Sequence, residues 1–331
     1  MNLSFSVAAA TLGLGLAVGA HAQSGVSAYG LMDMSAGQFQ TAGATKVWRA
    51  DSGNMTTSFL GFKGSEDLGG GLKANFTIEH FLRLDSGGAG RFNGDAFWAR
   101  NAYVGLQGAF GQTKLGRNTT PLFVSTLVFN PFGDSFGFSP SIRHYFLGAI
   151  AGDTGWNNSM AYTSPSLGGV TLNLLGNLSE GSGVGRNISA NALYFGGPFA
   201  ATVAWQQVKN GVFPVPAGFA KQDAIQFGGS FDLGAAKLFA QVGSVKTDAA
   251  VDVKTRLYQF GASAPIGAGR LLASYGNAKT TTPVASTRKT LTLGYDHNLS
   301  KNTAVYAVVM NDKVTGLDAG NSVAGGLRVR F

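Results

Sequence analysis

Leu72–Arg83, LKANFTIEHFLR, alternates without a break. Leu72, Ala74, Phe76, Ile78, His80 and Leu82 fall on one face and Lys73, Asn75, Thr77, Glu79, Phe81 and Arg83 on the other. One face is apolar and the other mostly wet. The same dyad returns at 222–232, where Ile225, Phe227, Gly229 and Phe231 oppose Ala224, Gln226, Gly228, Ser230 and Asp232. It returns again at 288–296, where Leu291, Leu293 and Tyr295 oppose Thr290, Thr292, Gly294 and Asp296. A soluble sandwich would give this alternation too, so the connections between the strands must decide.

Working outward, tight Gly/Pro/Asn turns lie at 68–71, 109–111, 165–169, 196–198, 233–236, 265–269 and 299–302. Between them lie longer polar connections at 41–53, 85–94, 121–155, 179–187, 209–221, 247–253, 280–286 and 312–321. Short and long connections alternate strictly, as in transmembrane barrels with turns on one rim and loops on the other. Seven turns and eight loops join sixteen strands, an even number that closes an up-and-down barrel wide enough for a watery lumen. One mis-split strand pair would make the count fourteen or eighteen. Residues 121–155 are the longest stretch with no period of two, and we read them as the third long loop, folded into the lumen.

Composition agrees. Charged residues are 13% of the 331, 49 residues are glycine and 24 phenylalanine, and the formal net charge is +8. Residues 5–19 form a weakly polar run before Ala20-His21-Ala22, which reads as a cleaved export leader over 1–22, although its first residues carry no Lys or Arg. Residues 23–331 then form one domain. No later apolar run is long enough for a spanning helix. The absence of cysteine removes disulfides, thiolate metal sites and cysteine nucleophiles. At the C-terminus, Val323, Gly325, Leu327, Val329 and Phe331 face one way and Arg328 and Arg330 the other.

The motifs at 25–33 (GVSAYGLMD), 60–74 (LGFKGSEDLGGGLKA), 99–106 (ARNAYVGL), 115–118 (LGRN), 157–165 (NNSMAYTSP) and 326–331 (GLRVRF) together resemble the Gram-negative general porins, particularly their betaproteobacterial branch. The resemblance spans the mature chain. It implies a homotrimer in the lipid of the outer membrane, each barrel narrowed by its third loop and passing small hydrophilic solutes by diffusion. Phe331 resembles the terminal signal read by the barrel-assembly machinery.

In that family an acidic loop faces a ladder of wall arginines. Here 131–134 keeps the turn as PFGD without its glutamate, leaving Asp134 as the expected acidic group and Asp153 as a weaker one that could equally make a turn hydrogen bond. Arg100 and Lys63 match inward basic positions. Phe59 stands where an arginine is usual, and Gly155 or Trp156 near another. Arg143 and His144 are expected to replace these missing rungs in part, with Arg117, Lys73 and Arg83 as further wall cations. For any one of them, a solvated lumen side chain without a special role is an even alternative. Together, more cations than carboxylates in a constriction favour anions. The loop phenylalanines Phe129, Phe132, Phe136 and Phe138 with Phe59 narrow the slot, which keeps a solute-selective channel as the alternative. Tyr29, Tyr103, Tyr162, Tyr194, Tyr258 and Tyr295 read as an interfacial girdle, with Tyr103 outward.

A barrel enzyme would need a placed nucleophile or acid/base pair, but His80 has outward parity, His297 sits by a short turn, and His144 has no visible partner. An exported adhesin sandwich would not need strict alternation of loop lengths. Basic residues are spread through strands and not gathered in a nucleic-acid patch. No cofactor or metal is implied.

Overall fold

The structure, a computed structural model, describes residues 25–178, 185–209, 216–281 and 285–331. The leader expected over 1–22 lies outside the described residues. Strand β1 (Gly25–Phe39) pairs along its length with both segments of β2, Val47–Ser52 and Phe59–Gly69. Then come β3 (Leu72–Arg83), β4 (Asn101–Gly108) and β5 (Gly111–Thr119). After the long loop follow β6 (Gly155–Thr163), β7 (Val170–Asn177), β8 (Ile188–Gly196), β9 (Phe199–Val208) and β10 (Lys221–Asp232). The circuit ends with β11 (Lys237–Asp248), β12 (Val253–Ile266), β13 (Gly269–Thr281), β14 (Ser286–Asn298), β15 (Thr303–Val314) and β16 (Gly320–Arg330). Each strand pairs antiparallel with the next, and β1 pairs with β16, so the sixteen strands close on themselves. Closure leaves no free edge, the condition for a sheet to sit in lipid.

Side-chain alternation separates two environments. Ile225, Phe227, Phe231, Leu291, Leu293, Val323 and Leu327 are exposed on the outside, while Gln226, Ser230, Thr290 and Thr292 are buried inside. This is the reverse of a soluble protein and suits a lipid exterior.

Three boundaries differ from the sequence reading. The connection expected at 41–53 is shorter, because Val47–Ser52 continues the ladder with β1. The second loop runs on to Arg100, since β4 begins only at Asn101. The last loop is trimmed, as β15 extends to Val314 and β16 starts at Gly320.

The break between the segments of β2 has a cause. Asp33 is buried, and its carboxylate accepts from the Thr56 backbone N–H and the Tyr306 hydroxyl at 2.5 Å each, which pulls 53–58 out of the ladder. Farther round, the β5–β6 register shifts between Gly116 and Asn118, with Gly116 at φ 136°. A Cβ there would lie 2.2 Å from the Ala102 carbonyl oxygen, so only glycine fits. Leu115 is exposed outside and Thr119 lines the lumen, so the alternation inverts across this step.

Candidate functional site

The third long loop enters the lumen as predicted, but it is not irregular throughout. Helix α1 (Pro121–Val128) starts from Thr120, whose hydroxyl accepts from the Phe123 N–H at 3.3 Å; α2 (Pro140–His144) starts from Ser139, which accepts from the Ile142 N–H at 3.4 Å. Both have proline at the first helical position, where the missing N–H costs nothing. A π-helical turn, Tyr145–Ala149, follows α2. Thr120-Pro121 and Ser139-Pro140 were readable as helix starts in the sequence, and the period-two reading passed over them.

The loop is fastened to the wall around its whole length. Leu122, Ile142, Tyr145, Phe146 and Ile150 pack on Ala204, Ala224, Val245, Leu257 and Ala278 of the inner wall. Wall amides hold its backbone: Asn191 donates to the Pro121 carbonyl at 2.8 Å, Gln241 to that of Thr126 at 2.9 Å and Gln222 to that of Ala149 at 2.9 Å. At the far side the Ser135 hydroxyl and the Gly137 N–H both donate to the Asn54 carbonyl, at 2.7 and 3.0 Å, in the gap of β2. Much of the polar inner face therefore holds the loop and not water.

Beside the loop remains a cavity of about 670 Å³. Four arginines line it, Arg83, Arg91, Arg100 and Arg143, against two carboxylates, Asp134 and Asp153. The loop contributes the apolar side, with Phe123, Leu127, Phe136 and Phe146. Phe123 stands edge-on to Phe146 at 5.0 Å between ring centroids.

Arg100 donates to Glu79 at 2.8 Å, and its guanidinium lies 4.1 Å from the centroid of the Phe59 ring. Phe59 thus supplies a cation–π platform where a further arginine was expected. Glu79 is buried and also accepts from the Tyr29 hydroxyl at 2.7 Å and from Asn101. Lys63 is exposed on the same inner face, 4.7 Å above the Tyr29 ring. Tyr103 donates no charge here but meets Thr77 at 3.1 Å and carries Lys114 over its ring at 4.8 Å. Tyr29 and Tyr103 therefore line the lumen, correcting their assignment to the girdle. Val104 and Leu106 are the outward residues of β4. Tyr162, Tyr194, Tyr258 and Tyr295 alternate outward as expected.

Asp134 is half-buried and faces the cavity. Burial pushes its carboxyl above the usual range against the pull of Arg100 and Arg328. Asp153 makes a turn contact, accepting from the Thr154 N–H at 2.7 Å, and also sits between Arg117 at 2.6 Å and Arg91 at 2.6 Å. Burial opposes its charge, but the two guanidiniums hold its carboxyl below the usual range. Arg117 is buried and also bonds Asn157 at 2.7 Å and the Ala99 carbonyl. It clamps the base of the loop and is not among the cavity-lining cations.

Arg143 faces the cavity, gives a hydrogen bond to the Gly137 carbonyl at 3.1 Å and lies 3.9 Å from Asp312. Burial and then the neighbouring Arg288 push its pKa down to about 10, with Asp312 opposing. His144 does not take the place of a missing arginine. It is buried against the wall, 2.8 Å from the Thr290 hydroxyl, and burial followed by Arg288 pushes its pKa down to about 3, so it carries no charge at neutral pH. Trp156 packs against Leu175 and Val208 behind the loop. Lys73 is exposed next to the short turn, away from the cavity. His80 has the expected outward parity and is covered by Phe97, stacked at 3.9 Å.

Arg91 and Glu79 are the residues the sequence reading missed. Arg91 lies in the second long loop, bonded to Asp95 and Asp153; burial opposes its charge, but these carboxylates hold its guanidinium above its ordinary range. Glu79 was on the wet face of β3, and that parity was the available signal.

A profile of the Gram-negative porin family matches residues 6–317. Outer membrane porin protein 32 of Delftia acidovorans is 34% identical over 93% of this chain and 91% of its own length. Among solved structures, the anion-selective porin from Comamonas acidovorans superposes with a TM-score of 0.82 at 29% identity, covering 93% of this chain and all (100%) of that one. The OmpT outer membrane protein of Vibrio cholerae, with its loop L8 deleted, gives 0.75 at 15% identity over 93% and 99%, a likeness of fold alone. The chain belongs to the Gram-negative porin family and forms a channel through the outer membrane.

Proposed function

We propose that this channel passes small hydrophilic solutes down their gradients with a preference for anions. The observation that carries the reading is the lining of the lumen cavity beside the third loop, four arginines and two carboxylates. A positive lumen of low-dielectric walls concentrates anions and depletes cations. The anion selectivity of the Comamonas relative supports it. The zero-current potential of the purified protein in a planar bilayer under a KCl gradient tests it. Chloride preference is expected; potassium preference would overturn the charge reading, and lack of conductance would overturn the channel itself.

The apolar loop side of the cavity favours a narrower second reading, a channel selective for anions that carry a flat apolar body. Phe123, Phe136 and Phe146 face the guanidinium side across the same space. Slower conductance block by benzoate than by acetate at equal concentration would count against it.

The mature chain, residues 23–331, is read as a homotrimer. Support lies in a groove of about 540 Å³ outside β1–β5, lined by Val26, Phe76, Val104, Leu106 and Leu115, with the Phe76 ring laid over Gly64. Phe331 is exposed after β16, exchanging backbone hydrogen bonds with Gly30 at 3.1 and 3.2 Å, and is proposed as the mark read during assembly.

A further inference from the structure

Arg83 differs from the other arginines of the lumen cavity. Arg91, Arg100 and Arg143 each face a carboxylate at 2.6–3.9 Å, whereas Arg83 has none among the described residues. Its terminal nitrogen donates instead to two neutral oxygens, the Ala89 carbonyl at 3.1 Å and Asn93 Oδ1 at 2.8 Å, and its Nε is buried without an acceptor. An amide thus stands where the other three arginines have an acid. Asn93 is followed by Gly94, and the two form the exposed tip of a turn closed by the Asp95 N–H, which donates to the Phe92 carbonyl at 3.2 Å. The Gly94 N–H makes no hydrogen bond among the described residues, and a Cβ on Gly94 would meet no atom within 4 Å. Nothing therefore crowds the Gly94 nitrogen or the amide carbon beside it.

We propose that Asn93 is a site of deamidation promoted by Arg83, which turns the amide into the carboxylate partner that this arginine lacks. The Gly94 nitrogen, once its proton has passed to solvent base, attacks Asn93 Cγ. The carbonyl electron pair moves onto Oδ1, where the Arg83 guanidinium is already placed to stabilise it. As that pair returns, the Cγ–Nδ2 bond breaks, and Nδ2 takes a proton from water and leaves as ammonia. Water then opens the resulting succinimide at either carbonyl, leaving aspartate or isoaspartate at position 93. Nothing is oxidised or reduced, and water is the sole co-reactant. Either product carries an anion at the Arg83 end of the cavity and offsets one of its four guanidiniums. That consequence, unlike the reaction, rests on the anion-preferring reading of the pore: the preference should decline as the protein ages.

The test holds the whole barrel in non-ionic detergent at mildly alkaline pH and samples it over days by peptide mass spectrometry, with isoaspartate counted by enzymatic methylation. Asn93 should convert well ahead of Asn54 and Asn101, which precede Met55 and Ala102. Arg83→Gln should slow conversion at 93 about fivefold, the factor that one charge at close range through water supplies. It should leave the rate at Asn210-Gly211, the sequence's other Asn-Gly, which lies outside the described residues, unchanged. Arg83→Lys keeps the charge and should restore most of the rate. In a planar bilayer, Asn93→Asp should lower the anion-to-cation permeability ratio by up to about fivefold, whereas Asn93→Gln should hold it and block conversion. Conversion at 93 no faster than at Asn54 and Asn101, or equally fast in wild type and Arg83→Gln, would overturn the site. So would equal slowing at Asn93 and Asn210 in Arg83→Gln, since the effect would then not be local. An Asn93→Asp channel with the wild-type reversal potential would overturn the consequence for the pore. A wild type without anion preference would overturn the reading of the pore and leave the conversion rates as evidence for the site.

Discussion

Inside the barrel, Arg91, Arg100, Arg117 and Arg143 each have a carboxylate at 2.6–3.9 Å. Outside, Lys254, Arg256, Lys279, Lys289 and Lys313 have none among the described residues. The inner set is mostly arginine, whose planar fork can bond carboxylates and carbonyls together and lie flat on rings such as Phe59. The outer set is mostly lysine, a hydrated point charge. The contrast teaches that the formal charge of +8 is not a measure of pore potential. Five of the cations behind it face the membrane surface, and the lumen's excess rests on few side chains.

The largest expected effect comes from breaking an inner pair. Arg117→Ala would leave Asp153 facing only Arg91 and would free the Asn157 amide oxygen. Removing one partner of a buried pair costs about 3–5 kcal/mol. Lower thermal stability and larger, noisier single-channel currents, as the loop base loosens, are the expected outcomes. A variant as stable as wild type would show that the clamp is dispensable.

Acid should loosen the loop by a second route. His144 titrates near 3 when buried and near 6.5 when exposed, so the unfolded chain takes up a proton that the docked loop refuses. Stability is then full above the unfolded value and falls as pH drops from about 6.5 towards 3, by up to about 1.4 kcal/mol per pH unit. His144→Gln should flatten that slope in unfolding measured by tryptophan fluorescence. Between pH 7 and 8 the docked ring is neutral, and ion selectivity should not depend on it.

Smaller in energy but direct for selectivity is the Arg100–Glu79 pair. Glu79→Gln would leave Arg100 uncompensated and raise the anion-to-cation permeability ratio, while Arg100→Gln would lower it. One charge at 4 Å through water is worth about 1 kcal/mol, so roughly fivefold is the ceiling in either direction. Reversal potentials that move together in both variants would show that the pair acts by shape and not by charge.

These effects also mark what the sequence could convey. Alternation such as that of LKANFTIEHFLR, and turns such as 68–71, depend on neighbours in the chain, so strands, barrel and third loop were legible. Partners across the lumen depend on register and on how a long loop returns. Asp153 therefore read as a weaker acidic group or a turn residue and not as the carboxylate between two arginines, Arg91 passed unnoticed in the second loop, and His144 read as a cation although packing strips its charge. Tyr29 and Tyr103 went astray for another reason. Residue type, an aromatic near a strand end, was allowed to outweigh parity, and Tyr103 alternates with outward Val104.

The smallest effect belongs to the outer set. Lys289 faces Lys313 across the ladder and has no carboxylate partner among the described residues. Lys289→Gln in a neutral detergent removes one repulsion and no attraction, so its stability should stay within about 0.5 kcal/mol of wild type, on the favourable side. Adding salt should reduce even that difference, because exposed charges are screened over about 10 Å at 0.1 M. The same exchange at an inner position such as Arg117 would be costly and far less sensitive to salt, since its partner is buried. A Lys289→Gln loss as large as that of Arg117→Ala would mean that the outer lysines, too, are held by partners within the barrel, and the distinction between the two sets would fall.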